Sequence, residues 1–193
     1  MIVIVDNGSQ YTHLIKRNCR DLGFEAEIVN SKSKYSHSEI EVKIKNAEKI
    51  ILSGGPSSVY KDPPNLSSEI CIKTRGGELE TPLLGICYGQ QMIAHIFGAK
   101  VGKGKSAEYG LCEITVDEQD IIFQGIEKPF RSWGSHFDEL KELPKNFRKL
   151  AHSHSCEIEA MRHQSKQIFG VQFHPEVWHT ENGEKILENF LKI

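Results

Sequence analysis

The chain has 193 residues, of which 38% are hydrophobic and 26% charged, with 24 Lys and Arg against 26 Asp and Glu for a net charge of −2. One domain commonly takes about 100–200 residues, so residues 1–193 read as a single domain large enough to bury a real core. The charge balance argues against a nucleic-acid binder or an acidic tail, and no apolar run approaches the roughly 18 residues of a membrane span.

Met1–Asp6 is apolar, but it is short and lacks both a basic leader and a small-residue cleavage site. It reads as a buried first strand, not a signal peptide. Asp6-Asn7-Gly8 is a turn signal. Tyr11, Leu14, Ile15, Cys19 and Leu22 then recur at helical spacing, and Gly23 follows as a C-cap. Ala26–Val29 predicts a second strand, Ile40–Ile44 a short helix, and Lys49–Leu52 a third strand ending at Ser53-Gly54-Gly55-Pro56. Leu66–Lys73 predicts a helix, Pro82–Ile86 a fourth strand, and Gln90–Phe97 the helix after it. Four strand–helix alternations with continuous apolar strands imply a parallel sheet covered on both faces.

The second half changes character. Leu111–Val116, Lys149–His152, Glu157–Met161 and Ile168–Phe173 read as strands with few helices between them, before a final helix from about Glu181. The expected fold is α/β: a mostly parallel central sheet flanked by helices, with antiparallel strands added in the C-terminal half. Five cysteines (Cys19, Cys71, Cys87, Cys112, Cys156) are odd in number, widely spaced and without a CxxC pair. They point to a reducing, cytoplasmic setting and away from a disulfide framework or zinc ribbon.

Gly85-Ile86-Cys87-Tyr88-Gly89 carries the most chemistry. An apolar strand runs into a nucleophilic residue type with glycine two before and two after it, and a helix then begins. This is the cysteine form of the nucleophile elbow, a turn too sharp for side chains at the flanking positions. The helix N-terminus offers N–H groups and a positive dipole end to the sulfur. A buried structural cysteine is the alternative. A base is available at Gly170–Glu176, where an apolar strand ends at His174 and Pro175 turns the backbone. Glu176 is then placed to orient the imidazole, giving nucleophile, base and acid. Taken alone, His174 is equally a surface strand-end histidine.

Gly85–Gln91 (GICYGQQ) together with Gln172–Glu176 (QFHPE) closely resembles the class I glutamine amidotransferase family, and the resemblance covers the whole chain. It implies a flavodoxin-like fold and hydrolysis of glutamine to glutamate and ammonia by Cys87, His174 and Glu176. It also implies that the N–H groups of Gly55 and Tyr88 form an oxyanion hole. The Gln91 side chain and the backbone of Ser135, His136 and Phe137 would hold the α-amino and α-carboxylate groups. The loop Trp133–Asp138 departs from the family pattern at Gly134, usually bulkier, and at Phe137, usually glycine. By the same resemblance Asp138 contacts the partner, with a solvated loop carboxylate as the alternative.

Asp6–Ile15, Leu52–Tyr60, Glu108–Gly110 and Gln172–Thr180 narrow the resemblance to one branch of the family. Its members feed ammonia to an ATP-pyrophosphatase subunit that aminates XMP to GMP. The residues end where a fused enzyme would continue, so the implied arrangement is a heterodimer with that subunit. No cofactor or metal is expected in this chain, since ATP and Mg are used by the partner, and neither nucleic acid nor membrane is an expected partner.

The glutaminase subunit of anthranilate synthase remains an alternative, although Val177 stands where that group carries serine. A stand-alone γ-glutamyl hydrolase and a non-enzymatic sensor on the same fold also remain. Two further stretches carry weaker signals. His152-Ser153-His154-Ser155-Cys156 places potential ligands at alternate positions but reads mainly as a solvated turn. Lys100–Lys105 reads as a solvated basic hairpin or, secondarily, a docking surface.

Overall fold

A computed structural model describes residues 1–193, the side chain of Lys105 excepted. Its first half alternates as the sequence predicts: β1 (Ile2–Asp6), α1 (Thr12–Asp21), β2 (Ala26–Asn30), α2 (Ser38–Lys45), β3 (Lys49–Leu52), α3 (Leu66–Gly76), β4 (Leu83–Ile86) and α4 (Tyr88–Ile96). The second half adds β5 (Val101–Val116), β6 (Phe130–Leu140), β7 (Phe147–His152), β8 (Ala160–His163), β9 (Ile168–Val171) and α5 (Gly183–Leu191). The strand order is β2-β1-β3-β4-β9-β8-β7-β5-β6.

Side-chain alternation along the parallel strands feeds two cores. Val3, Val5, Ile50, Leu52 and Leu83 pack with Leu66 and Ile70 of α3 and Met92 and Ile93 of α4. Ile2, Ile4, Ile51, Leu84 and Ile86 face the other way, against Ile15 of α1 and Ile186, Leu187 and Phe190 of α5. Local signals also hold. Asn65 and Ser68 close a reciprocal capping box at the start of α3, and Gly23 takes a positive φ of 85° just past α1.

β9 belongs to both halves. It runs antiparallel to β8 but parallel to β4, with Gly85 opposite Gly170 and Ile86 opposite Val171. The C-terminal ends of β4 and β9 therefore lie side by side. β5 and β6 form a long antiparallel ribbon that joins the main sheet only through Thr115 and Val116 against β7.

Three expectations need correction. The basic stretch at Lys100 is no free hairpin: from Val101 it is the first part of β5, paired with β6 before a register shift between Lys103 and Glu108. The side chain of Lys105 lies outside the described residues. Trp133–Asp138, expected as a loop, lies inside β6. Its inward positions are Ser132, Gly134 and His136, so no apolar alternation marks it as a strand. The strand expected at Glu157–Met161 is displaced to Ala160–His163, after an irregularity in the β7–β8 pairing between Lys149 and Ala151.

The Phe190 ring is fully buried and meets the edge of Phe169 with centroids 6.0 Å apart, tying α5 to the sheet. Phe190→Ala should lower stability by about 3–5 kcal/mol, seen as a fall in the urea midpoint at unchanged m-value. A loss below about 1 kcal/mol would show that α5 is only loosely docked.

Candidate active site

The turn at Cys87 is forced by what surrounds it. Its backbone takes φ 50° and ψ −106°, between the end of β4 and the start of α4. A Cβ on Gly85 would overlap the carbonyl carbon of Gly89, and one on Gly89 would overlap the carbonyl oxygen of Leu52. Strand, turn and helix pass so close that neither position accepts a side chain. The turn is braced by Cys87 N–H donating to the Val171 carbonyl at 2.8 Å and Gln91 N–H to the Cys87 carbonyl at 3.1 Å.

His174 follows the end of β9 and so arrives beside Cys87. Its backbone N–H donates to the Trp133 carbonyl at 3.0 Å, and its carbonyl accepts from the Thr180 hydroxyl at 2.6 Å. The imidazole lies beside the Cys87 side chain, both bordering Gly54, and hydrogen-bonds Glu176 Oε1 through Nδ1 at 2.8 Å. Both His174 and Glu176 are buried. Burial opposes a charge on His174, but the Glu176 carboxylate and the hydrogen bonds from Cys87 and Glu176 outweigh it. The imidazole is held well above its ordinary pKa of 6.5. The three residues singled out from sequence are thus brought together.

Gly54 and Gly55 lie at the end of β3. A Cβ on Gly54 would stand 2.9 Å from His174 Cε1 and 3.7 Å from Cys87 Cβ, and one on Gly55 would stand 2.6 Å from the Asn7 carbonyl oxygen. Bare backbone is what lets β3 border the thiol. Tyr88 is the first residue of α4, where a backbone N–H precedes the intrahelical acceptors. Its side chain points away from the sulfur, the hydroxyl donating to Asp62 at 2.8 Å.

Cys87, His174, Gly55, Gln91, Ser135, His136 and Phe137 all line one cavity of about 540 Å³. The Ser135 carbonyl is 4.0 Å from Cys87 Sγ. Gln91 is more committed than the sequence implied: its amide nitrogen donates to the Asp138 carbonyl at 2.7 Å and to Gln172 Oε1 at 3.1 Å. Only its Oε1 remains for an ammonium group. Asp138 is tied inward, accepting from Ser58 and from the Tyr60 hydroxyl. The glycine at position 134 has a local cause, because a Cβ there would meet Glu108 Cβ at 3.2 Å.

Sequence reasoning missed two contributors. Tyr11, read only as part of a helical stripe, precedes α1 and sets its ring edge against His174, with centroids 5.1 Å apart. Its hydroxyl accepts from Trp133 Nε1 at 3.3 Å. Thr180 binds both the His174 carbonyl and the Trp133 N–H. Both lie within motifs that carried the family resemblance, but their spacing had no periodic signature. The turn at His152–Cys156 also differs from expectation, since Ser153 and Cys156 are buried against Glu108 and its neighbours.

A family model described as glutamine amidotransferase class-I matches residues 3–193. A glutamine-hydrolyzing GMP synthase subunit of Pyrococcus abyssi is 49% identical over 193 residues, covering 100% of this chain and 98% of that protein. The corresponding subunit of Methanocaldococcus jannaschii is 42% identical, covering 100% and 97%. The glutamine-hydrolyzing GMP synthase of Clostridium tetani is 43% identical over 192 residues, but these span 36% of that longer protein. Among solved structures, a Thermoplasma acidophilum protein named as a candidate GMP synthase subunit superposes with a TM-score of 0.86 at 33% identity, covering 99% of this chain and 92% of that one.

Glu176→Gln keeps the shape of the acid and removes its charge, so that burial of His174 is opposed by less. The imidazole should then titrate lower than in the parent, followed by histidine NMR shifts against pH. An unchanged titration would remove Glu176 from the electrostatics of the site.

Proposed function

Because the chain belongs to the class I glutamine amidotransferase family, we propose that it is the glutaminase subunit of a two-subunit GMP synthase. The observation that carries this reading is the Cys87–His174–Glu176 line at the adjoining ends of β4 and β9, with Cys87 and His174 open to the cavity. Cys87 Sγ attacks the glutamine carboxamide carbon, passing its proton to His174. The carbonyl oxygen becomes an oxyanion facing the N–H groups of Gly55 and Tyr88, each such donor worth about 3 kcal/mol in comparable enzymes. His174 returns the proton to the departing nitrogen, releasing ammonia and leaving a glutamyl thioester on Cys87. Water, deprotonated by the same imidazole, opens the thioester, and glutamate leaves with the thiol restored. Glu176 stabilises the imidazolium in both steps. The Gln91 Oε1 and the Ser135–Phe137 backbone meet the α-ammonium and α-carboxylate.

The ammonia goes to a separate ATP-pyrophosphatase subunit that uses ATP and Mg to aminate XMP. The cavity rim supports a docked partner: Tyr109 and Phe137 are exposed aromatic residues there, beside Lys61 and Lys103. Aromatic residues ringed by charge are common anchors at protein interfaces. The heterodimer is read as cytoplasmic, and among the described residues no helix is long and apolar enough to cross a membrane.

Cys87→Ala should abolish glutamine hydrolysis, while free ammonia still supports GMP formation by the assembled enzyme. An electrophilic glutamine analogue should label Cys87 alone. Burial pushes the Cys19 thiol up to about 11 and the Cys112 thiol to about 12, and Cys71 and Cys156 higher still. Mass spectrometry placing the label mainly on another cysteine would refute the assignment. Glutaminase activity of the chain alone should rise when the partner, ATP and XMP are added. Equal rates with and without them would favour a stand-alone hydrolase.

A further inference from the structure

Behind the glutamine pocket lies a buried polar cluster that the reaction does not use. Glu108 on β5 stands opposite His136 on β6, next to the Ser135 carbonyl that faces Cys87. It accepts three hydrogen bonds: from His136 Nε2 at 2.9 Å, from Ser153 Oγ at 2.6 Å and from Ser155 Oγ. Glu159, in the β7–β8 connection, is fully buried, and neither of its carboxyl oxygens meets a donor. Its neighbour is Glu108 itself, the two carboxyl groups having oxygens within 4.8 Å of each other. Two carboxylates cannot bond as acceptors only, so one of them must bring a proton. Glu108 has three donors and Glu159 has none, which assigns the proton to Glu159.

The two acids also belong to different parts of the fold. The backbone of Glu159 is clamped in the main sheet, its N–H donating to the Ala151 carbonyl at 2.9 Å and its carbonyl accepting from Gln172 N–H at 2.7 Å. Gln172 stands two residues before His174. Glu108 belongs to the β5–β6 ribbon, whose strand pairing with the main sheet is limited to Thr115 and Val116 against β7. We propose that Glu159 is a positioning residue whose protonated carboxyl donates to Glu108, and that this acid pair fixes the ribbon, and with it the Ser135–Phe137 backbone, over the glutamine pocket.

The electrostatics agree. Burial, then the proximity and charge of Glu108, push Glu159 well above the carboxyl range; the nearby Ser153, whose hydroxyl is given to Glu108 at 2.6 Å, opposes this and Cys87 adds to it. Burial works against the charge on Glu108 too, but its bonds from His136, Glu159, Ser153 and Ser155 hold it well below that range. The other ionisable groups facing the pair are Cys112 from β5, His136 from β6 and Cys156 from the turn. None of these supplies Glu159 with a donor. As pH rises through its folded pKa, Glu159 ionises and two anions face each other. Below that point and above 4.5, the folded chain holds a proton that the unfolded chain has lost, so this group makes stability fall as pH rises.

The test uses Glu159→Gln, whose amide can still donate to Glu108, and Glu159→Leu, which cannot. Infrared difference spectra between the parent and Glu159→Gln should show the carbonyl stretch of one protonated carboxyl in the parent alone. Its absence from the parent would overturn the proposal. This readout does not need the glutaminase reading on which the kinetic arm rests. In the assembled enzyme at neutral pH, Glu159→Gln should keep KM for glutamine near the parent value. Glu159→Leu should raise it about 10-fold, the loss of one hydrogen bond to a charged group, with kcat less affected. KM should climb at alkaline pH in the parent and stay flat in Glu159→Gln. Equal impairment of both variants, or a stoichiometric metal ion in the purified protein satisfying the same oxygens, would also overturn it.

Discussion

The site depends on one backbone conformation, the positive φ at Cys87. A residue with a Cβ held there costs on the order of 1–3 kcal/mol and persists only when its surroundings leave no other path. Those surroundings are specific: α4 crosses β4 at Gly85, and β3 crosses α4 at Gly89, each at a separation that excludes a side chain. Cys87 N–H is spent on β9, so the strand that delivers His174 also holds the turn that presents the thiol. Nucleophile and base are therefore not positioned independently. Disturbing the β4–β9 pairing at Ile86 and Val171 would move both.

The second constraint comes from the ribbon. β5 and β6 are long, paired mainly with each other, and weakly attached to the main sheet. A two-stranded ribbon has little intrinsic stability, so its position must come from contacts beyond its own pairing. These cluster around the cavity. Asp138 meets Ser58 and Tyr60, the Trp133 carbonyl takes the His174 N–H, and Glu108 meets Ser153, Ser155 and Glu159. The outer wall of the pocket is thus held by polar bonds around Ser132–Asp138, while the ends of the ribbon at Val101, Ile114, Phe130 and Leu140 join the apolar cores. Polar bonds of this kind lose strength when one donor is removed, while a packed wall responds to changes in volume.

The inner wall was legible from the sequence because its signals are local. Apolar runs ending at Asp6, Ser53 and Cys87 marked β1, β3 and β4, and the glycines around Cys87 marked the turn. His174 and Glu176 were legible because a strand ending at a His-Pro step leaves few places for the side chain. The outer wall was not. Its buried face reads Ser132, Gly134, His136, so the alternation that betrays a strand is absent, and the segment looked like a loop. Burial of Ser153 and Cys156 was equally invisible, because it depends on Glu108, 45 residues away from Ser153 in the chain. Tyr11 and Thr180 touch His174 only through tertiary contacts, and no short-range pattern encodes those.

Five cysteines show why exposure alone does not pick the reactive one. Cys87 is 5% exposed, as hidden by area as Cys156 at 1%, and Cys112 is the most accessible of the five. Yet Cys112 has its thiol pushed up to about 12, with Glu159 and Glu108 adding negative potential to the effect of burial. Cys156 sits in the same negative field. A thiol there gains nothing by losing its proton. Cys87 instead has an imidazole for a neighbour, held toward its charged form by Glu176, and the N-terminus of α4 behind it. The fold separates two adjoining environments. One, around Cys87, holds an imidazole toward its charged form, and the other, around Glu159, favours a neutral acid. A charge released on Glu159 would be felt at Cys87, since the two are already coupled electrostatically. Keeping a proton on Glu159 therefore does more than anchor the ribbon: it keeps an anion from facing the sulfur that has to become one.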